Sequence, residues 1–358
     1  MRTILLALLA SLWAVAACAY PVGERHLQTT NPTAAVRDAQ HKDGLRITVW
    51  YPADDLTPEE DIVLGPPGNP LFYVGEAAPN AGFADERRRP VILFSHGFGG
   101  TARMMGWFGT VMAAQGYIVI AVDHPGNNGM EPMTIAGAVL FWDRPGDLAA
   151  ALARVRADPD LGRRLDMARV GVAGFSAGGF TSLVAAGARV DVARFKAFCK
   201  DRPDDGICKP QKELPTLTMD QAVAFLESPE AKPAVDRAAG DLSLPEVRAA
   251  FAIAPAIVQA LDPRSLQGLR VPVGIVLGDA DEVAPPNTNG SYAARQIPGA
   301  RLKALPGVGH YDFLSRCTPA GDEIVKDLCP VRVPRSGTHR AAIEQALMFF
   351  GRAFGPPP

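Results

Sequence analysis

The stretch of sequence that decides the fold is Val170-Gly171-Val172-Ala173-Gly174-Phe175-Ser176-Ala177-Gly178-Gly179. It begins with small and β-branched apolar residues, which predict a short buried strand, and then turns through the pattern Gly-x-Ser-x-Gly. The next residues, Phe180 to Ala186, predict a helix. A strand, a sharp turn and a helix in this order present a serine hydroxyl clear of the sheet, because the turn is strained. The pattern therefore indicates Ser176 as a nucleophile, against the alternative of a glycine-rich turn between two buried elements.

Strand and helix patterns alternate along much of the chain on either side of this stretch. The predicted strands are 45–52, 90–95, 117–122, 249–254, 272–278 and, as the last, 300–305. The predicted helices include one that Thr101 caps and that ends near Gly116, and the segments 143–157 and 338–354. This alternation predicts an α/β fold with a mostly parallel central sheet flanked by helices on both faces. In such sheets ligands bind at the carboxyl ends of the strands, so we expect the site there.

Two segments interrupt the alternation. Residues 52–89 are rich in proline and glycine, and we expect them to form a long surface excursion. Residues 189–247 follow the helix after Ser176 and hold six prolines and short helical patches such as Met219 to Leu226. We expect this second segment to be a helical insertion that forms a lid over the site. Both segments would belong to one domain spanning residues 20–358.

Composition restricts the class of protein. Of the 358 residues, 47% are hydrophobic, which is enough to build a large core. The formal net charge is −2 and the sequence contains no basic run, which argues against nucleic acid as a partner. We therefore expect a globular protein that does not bind nucleic acid.

The first residues have the pattern of an export signal. Arg2 precedes an apolar stretch, Ile4 to Ala17, that is too short to span a bilayer comfortably. Val15-Ala16-Ala17-Cys18 resembles a bacterial lipoprotein box, which would end the signal at residue 17 and anchor the protein to a membrane through a lipidated Cys18. An ordinary signal peptidase site is the alternative, and it would remove residues 1–19. Either cleavage predicts an exported protein that is periplasmic, secreted or lipid-anchored to the bacterial envelope.

Four further cysteines agree with export: Cys199, Cys208, Cys317 and Cys329. An even number in an exported chain suggests disulfides, although four cysteines allow three connectivities. The pairs nearest in sequence, 199 with 208 and 317 with 329, would close short loops and contribute ~2–3 kcal/mol each. A zinc site is the alternative, but no Cys-x-x-Cys or neighbouring histidine pair supports it. We expect no metal.

A serine becomes a nucleophile at neutral pH only beside a base, and a carboxylate must hold that base. On a sheet of this kind the chain order is serine, acid, histidine. Of six histidines, only His310 and His339 follow the candidate acids. His310 comes just after the strand 300–305, from where a loop can point its imidazole at Ser176. His339 begins the terminal helix and is expected at the surface, so His310 is the predicted base.

The acid is expected in the loop after the strand 272–278. This loop, Gly278-Asp279-Ala280-Asp281-Glu282-Val283, offers three carboxylates. Asp281 has the usual position in a Gly-x-x-Asp turn and is the predicted acid. Asp279 is expected to cap the turn through its own backbone, and Glu282 is expected to face solvent.

The oxyanion of an acyl-transfer intermediate needs two backbone N–H groups. We expect them from Ala177, directly after the nucleophile, and from Phe98 in the glycine-rich run His96-Gly97-Phe98-Gly99-Gly100. His96, His124 and Phe175 lie beside these groups in sequence and are candidates for binding the substrate. The alternatives are a loop-shaping role for His96 and a structural role for His124 in its turn.

Together these motifs resemble those of an α/β-hydrolase. They include Gly-Phe-Ser-Ala-Gly-Gly, Ser-His-Gly-Phe-Gly-Gly, Val-Asp-His-Pro-Gly, Val-Trp-Tyr-Pro and Gly-Val-Gly-His, and are more narrowly similar to bacterial relatives of platelet-activating factor acetylhydrolase, often described as predicted dienelactone hydrolases. The resemblance runs from Pro21 to the C-terminus and is weakest in the insertion. It implies the triad of Ser176, Asp281 and His310, with an oxyanion hole at residues 98 and 177. It also implies carboxylic ester hydrolysis without a metal or organic cofactor.

The leading hypothesis is a secreted or periplasmic serine esterase that forms an acyl-enzyme with short acyl esters, with lipid-derived esters and polyesters among the candidates. A serine peptidase on the same fold is the alternative among enzymes, although no propeller-like repeat precedes the hydrolase region. A non-catalytic surface or binding protein is the alternative from another class. The serine, acid and histidine argue against that last alternative. The predicted partner is a small-molecule ester, and the oligomeric state is left open.

Overall fold

The computed structural model describes residues 19–330 and 332–358. The strands in these ranges are β1 (Val22–Thr30), β2 (Gly44–Pro52), β3 (Glu60–Leu64), β4 (Phe72–Pro79), β5 (Arg89–Ser95), β6 (Ile118–Asp123), β7 (Leu165–Phe175), β8 (Val247–Ile253), β9 (Val273–Gly278), β10 (Arg301–Leu305) and β11 (Arg316–Cys317). The α-helices are α1 (Ala34–Arg37), α2 (Gly106–Ala114), α3 (Ile135–Val139), α4 (Arg144–Arg156), α5 (Ala177–Ala185), α6 (Val192–Asp201), α7 (Met219–Leu226), α8 (Lys232–Ala238), α9 (Pro263–Gln267), α10 (Gly290–Gln296), α11 (Pro319–Ile324) and α12 (Arg335–Phe354). The predicted export signal, with Cys18, lies outside the described residues.

The sheet confirms the predicted fold class. Its strand order is β10-β9-β8-β7-β5-β6-β2-β1-β4-β11, with β3 paired to β4. The six strands from β10 to β6 are parallel, whereas β2 is antiparallel to both β6 and β1. The parallel strands are apolar almost throughout because helices cover both of their faces. Helices α4 and α5 pack on one face, and α2 and α12 pack on the other.

The prediction of a surface excursion over residues 52–89 is wrong. The segment contains β3 and β4, and β4 pairs with β1, β3 and β11. Its apolar side chains are buried against α2, where Gly75 approaches Thr110 so closely that a Cβ would lie 2.8 Å from Oγ1. Strand β1 was not predicted, and β11 follows β10, which was expected to be the last strand. Both strands lie on the side of the sheet beyond β2, each beside β4, and exposed polar residues interrupt their apolar pattern.

The insertion after α5 is helical, as expected. It contributes α6, α7 and α8 before the chain returns to the sheet as β8. Helix α7 begins with a capping box in which Thr218 and Gln221 bond to each other's backbone N–H groups. The insertion is attached to the body of the fold by the indole of Trp142, which donates to the carbonyl of Ala234 over 3.0 Å.

The four described cysteines form two disulfides. Cys199 is joined to Cys208, and Cys317 is joined to Cys329. These sulfurs are therefore not thiolates that could form the alternative zinc site. Disulfides of this kind persist in oxidising compartments, which fits an extracellular or periplasmic location. Within the described ranges, no helix has both the length and the apolarity needed to cross a bilayer.

Candidate active site

Ser176 lies on a strained turn between β7 and α5. Its backbone has φ 56° and ψ −117°, a conformation that residues with a Cβ rarely adopt. The turn is fixed from both sides, because the Ser176 N–H donates to Ile253 over 2.9 Å and its carbonyl accepts from Ala256 over 3.1 Å. A Cβ on Gly178 would lie 1.8 Å from the carbonyl oxygen of Ser95, so only glycine fits there. The close approach of strand and helix thus fixes the turn on which Ser176 borders the cavity.

The structure brings the three predicted catalytic side chains into one hydrogen-bonded chain. His310 Nε2 lies 2.8 Å from Ser176 Oγ, and His310 Nδ1 lies 2.6 Å from Asp281 Oδ2. All three side chains are buried, with 6%, 5% and 4% of the Ser176, His310 and Asp281 surfaces exposed. They come from the carboxyl ends of β7, β10 and β9 in one parallel sheet, in which β9 and β10 are neighbours and β8 separates β9 from β7. The arrangement can transfer a proton from the serine hydroxyl to the imidazole.

The acid loop is ordered by Asp281 itself. Its Oδ1 accepts from the backbone N–H groups of Val283 and Ala284, over 2.9 and 2.7 Å. The expectation that Asp279 caps this turn is wrong, because Asp279 Oδ1 instead accepts from Gly307 N over 2.7 Å and joins the acid loop to the histidine loop. Glu282 is exposed as expected and pairs with Arg332.

The two expected oxyanion donors flank the nucleophile. Ala177 is the first residue of α5, where a backbone N–H has no partner within the helix. Among the described residues, the Phe98 N–H donates to no protein acceptor, and Phe98, Ser176 and Ala177 line one cavity together. Backbone donors at these two places could bind the negative oxygen of a tetrahedral intermediate.

The cavity at Ser176 is apolar and is walled largely by the insertion. Its volume is about 100 Å³. The wall residues from the insertion are Phe195, Ile207, Cys208, Lys209, Gln211, Leu214, Leu217, Thr218, Met219, Ala222 and Leu226. The remaining wall comes from the body of the fold and is also mostly apolar, including Val139, Phe141, Ile257 and Val283. A lid was predicted from the sequence, but its cavity-lining residues were not. Apolar residues at helical spacing indicate that one face of a helix is buried, and they do not show whether that face lines a cavity.

Three residues expected to bind substrate do not line this cavity. His96 and His124 have no exposed surface, and their rings contact each other with centroids 4.8 Å apart. Phe175 packs against His310 with ring centroids 4.9 Å apart. The expectation of substrate contact finds no support for any of the three, because His96, His124 and Phe175 are buried and none of them lines the cavity. The alternatives of a loop-shaping His96 and a structural His124 agree with these positions.

The prediction for the position of His339 is also wrong. It was expected at the surface, but only 8% of its surface is exposed. Its ring stacks on Trp107 at a centroid distance of 4.0 Å, and its Nε2 bonds to the carbonyl of Leu314 over 2.9 Å. Burial lowers the pKa of His339 to about 3, so the ring is neutral. A helix start places a side chain outward only when no neighbouring element covers it, and α2 covers this one.

Glu213, in the insertion, was not anticipated and lies close to the triad. Tyr311 Oη donates to Glu213 Oε2 over 3.3 Å, and Tyr311 follows the predicted base directly. Burial raises the pKa of Glu213 above its usual value. The side chain also covers the glycine-rich loop, because a Cβ on Gly99 would lie 2.8 Å from Glu213 Cβ. Glu213 lies in a loop without a helical or strand pattern, so the sequence gives no indication that its carboxylate lies near the triad.

Comparison with known proteins agrees with this geometry. Residues 92–321 match the family model described as "Alpha/beta hydrolase family". A solved structure, a ferulic acid esterase from Streptomyces cinnamoneus, superposes with a TM-score of 0.62 at 20% sequence identity, covering 95% of this chain and 92% of that one. At this identity the likeness shows a shared fold. No curated protein sequence matches the chain.

Proposed function

The chain belongs to the alpha/beta hydrolase family, and from this premise we propose that it is a serine-dependent hydrolase of carboxylic esters. The observation that carries the proposal is the strained Ser176 with its hydroxyl 2.8 Å from His310 Nε2. This backbone conformation lowers the stability of the folded protein, since such strain costs on the order of 1–3 kcal/mol. The strain is expected where a nucleophile must be exposed.

The proposed reaction proceeds in two halves. His310 Nε2 accepts the proton of Ser176 as Oγ forms a bond to the ester carbonyl carbon, and the Phe98 and Ala177 N–H groups stabilise the negative oxygen. His310 then gives the proton to the leaving alcohol oxygen as the carbon–oxygen bond breaks, which leaves an acyl-serine. In the second half, His310 Nε2 takes a proton from a water molecule as its oxygen bonds to the acyl carbon. The bond between that carbon and Ser176 Oγ then breaks, His310 returns the proton to Oγ, and the carboxylic acid leaves. Asp281 remains ionised throughout and holds the Nδ1–H of His310.

The cavity supports a short apolar acyl group as the substrate part next to Ser176. Its walls are mostly apolar, many of them come from the insertion, and its volume is only about 100 Å³, which favours a short acyl group over a long one. Lipid-derived esters and polyesters with short acyl units meet this description. A finer placement among the relatives of platelet-activating factor acetylhydrolase rests on the sequence motifs alone. The ester-cleaving name of the solved structure with the same fold supports an ester rather than an amide as substrate.

Export of the protein remains part of the proposal. Two disulfides fit an oxidising compartment, and the apolar stretch after Arg2 fits a signal peptide. Lipidation of Cys18 would hold the enzyme at a membrane, close to lipid-derived esters. Removal of residues 1–19 would instead release it.

The test is Ser176→Ala with p-nitrophenyl acetate as substrate. We expect kcat to fall by at least about 10³-fold, because removal of the nucleophile leaves only binding and oxyanion stabilisation. Ser315→Ala is the matched control: Ser315 is also buried, and its hydroxyl donates to the carbonyl of Met104 rather than to the triad. It should retain kcat within about twofold. A Ser176→Ala protein that keeps a tenth of the activity would exclude the proposed mechanism.

A further inference from the structure

A second Ser-His-Asp arrangement lies beneath the proposed nucleophile. Ser95 Oγ lies 2.8 Å from His124 Nε2, and His124 Nδ1 lies 2.8 Å from Asp147 Oδ2. We call these three residues the buried array. Each has 0% of its surface exposed, so no substrate can reach the hydroxyl. The buried array therefore acts on the protein around it rather than on a substrate.

The protonation of the buried array follows from its partners. Asp147 accepts N–H groups from Arg37 over 2.8 and 2.7 Å and from Asn31 over 2.7 Å. Burial alone would raise the pKa of Asp147, but the charge of Arg37 lowers it below the usual value. Burial lowers the pKa of His124 to about 3, so the ring is neutral. Nδ1–H then donates to the carboxylate, and Nε2 accepts from the hydroxyl of Ser95.

The buried array is tied to the loop that carries the Phe98 amide. We call His96–Gly100 the oxyanion loop. The backbone N–H of His124 donates to His96 Nε2 over 3.0 Å, which leaves the proton on Nδ1. That Nδ1–H donates to the carbonyl of Gly97 over 2.7 Å. One neutral histidine thus fixes the carbonyl that precedes Phe98.

Two further side chains, Asn127 and Arg144, fix the oxyanion loop from the other side. Arg144 Nη1 donates to the carbonyl of His96, and its Nη2 donates to Asn127 Oδ1, each over 2.8 Å. Asn127 Oδ1 also accepts from the N–H of Gly99 over 2.9 Å. Arg144 and Asn127 are each 1% exposed, and Arg144 makes no salt bridge within the described residues. The backbone groups on both sides of Phe98 are therefore held, while its own N–H has no acceptor among the described residues and Phe98 lines the cavity.

We infer that Asn127 and Arg144, supported by the buried array, are positioning residues that aim the Phe98 N–H at the developing oxyanion. The inference rests on the proposed function. An oxyanion donor acts only when it is held at about 2.7–3.1 Å from the position of the negative oxygen. Three of the five residues of the oxyanion loop are glycines, whose backbone would otherwise sample many conformations. A rigid support beneath the loop removes that freedom before the substrate binds.

The test compares Asn127→Ala with Asn127→Asp. Alanine removes the acceptor for Gly99 and Arg144, and we expect kcat for p-nitrophenyl acetate to fall about 10- to 100-fold while KM stays within about twofold. Affinity for phenylboronic acid, whose oxygen occupies the oxyanion position once boron binds the serine, should fall in parallel. Aspartate keeps Oδ1 and replaces Nδ2, which has no partner among the described residues, with a carboxylate oxygen whose negative charge the adjacent Arg144 guanidinium can balance. It should restore kcat to within about threefold of the parent protein.

Asn289→Ala is the matched control for truncation of a buried asparagine. Asn289 is 0% exposed, and its oxygen accepts from Val258 N rather than from the oxyanion loop. It should lower the thermal midpoint without lowering kcat more than about threefold. Unchanged kcat in a folded Asn127→Ala protein would overturn the inference. If Asn127→Ala does not fold, Ser95→Ala decides the question, with a loss of kcat of about three- to tenfold expected and unchanged kcat as the contradicting result.

The two proposals fail in different ways. An active Ser176→Ala protein contradicts the proposed function, and the positioning inference then falls with it. A Ser176→Ala protein without activity, together with full kcat in Asn127→Ala, contradicts the positioning inference alone.

Discussion

The single residue on which the proposed chemistry depends lies between two glycines, each two positions away, where the surrounding backbone leaves no room for a side chain. Ser176 has φ 56°, and two backbone hydrogen bonds, to Ile253 and from Ala256, fix it there. Its neighbours Gly174 and Gly178 touch each other, since a Cβ on Gly174 would lie 2.3 Å from the carbonyl of Gly178. The energy of the strained conformation is thus offset by strand pairing and helix packing around it.

This crowding predicts opposite effects for two Gly→Ala substitutions in helices. Gly178→Ala places a Cβ 1.8 Å from a backbone carbonyl that cannot move without disrupting β5, so we expect a loss of more than about 3 kcal/mol of unfolding free energy. Gly351 lies in α12 with no other atom within 4 Å of its Cβ position. Gly351→Ala should increase the unfolding free energy by about 0.5–1 kcal/mol. Urea unfolding followed by circular dichroism measures both, and equal midpoints would contradict the close approach of Gly178 to Ser95.

At this scale the sequence was most informative where chemistry imposes an order. Ser176, Asp281 and His310 were predicted because the strand pattern and the chain order leave few candidates. Contacts between distant residues had no such signal: Arg37 and Asp147 are 110 positions apart, yet they bond twice. The buried array, its support of the oxyanion loop and the burial of His339 depend on pairings of this kind.

Among the elements, the insertion determines the shape of the cavity. Helix α7 was predicted from its own residues, since an apolar stripe and a capping sequence are local features. How α6 and α7 pack against the turn at Ser176 could not be predicted, because contacts between residues distant in sequence determine it. The Cys199–Cys208 disulfide joins the end of α6 to the loop that leads to α7, and Cys208 lines the cavity beside Ile207 and Lys209. The second disulfide, between Cys317 and Cys329, is not among the cavity walls.

The two disulfides therefore predict a separation between stability and substrate binding. They close loops of similar length, with sequence separations of 9 and 12 residues. Replacement of either pair by alanines should lower the unfolding free energy by about 3 kcal/mol. Only Cys199→Ala/Cys208→Ala should also raise KM for p-nitrophenyl butyrate, by more than about threefold, because the cavity wall loosens. Equal KM values for the two double variants would show that the insertion does not shape the acyl site.

The strands that the sequence concealed share a physical cause. Strands β1, β3 and β4 lie on the side of the sheet beyond β2, where every pairing except that of β1 with β4 is antiparallel. Buried and exposed positions alternate along part of these strands, and charged residues such as Glu60 and Asp61 occur in them. The central strands are covered on both faces and therefore appear as continuous apolar runs. Sequence patterns locate the part of the sheet that carries the site better than the part that extends it.

Over the whole molecule, burial of ionisable groups links the fold to pH. His96, His124 and His339 are all buried, and burial lowers the pKa of each below its ordinary value of 6.5, to about 3 for the latter two. All three are therefore neutral in the folded protein throughout the range in which exposed histidines gain a proton. In the unfolded chain they recover ordinary pKa values.

These shifts predict a protein that loses stability as the solution is acidified from pH 6.5 to 5. In this range the unfolded state binds protons that the folded state excludes, so the unfolding free energy rises with pH and falls on acidification. Each histidine contributes up to about 1.4 kcal/mol of unfolding free energy per pH unit, whereas above pH 7 its contribution to the slope disappears.

Removal of one of the three histidines should reduce their joint contribution to the slope of unfolding free energy against pH by about a third. His339→Gln is the suitable variant, because its amide can still donate to Leu314 and it lies outside the proposed site. Urea unfolding at pH 5.0, 5.5, 6.0, 6.5 and 7.5 measures the slope, and an unchanged slope in His339→Gln would mean that this ring is protonated in the folded protein.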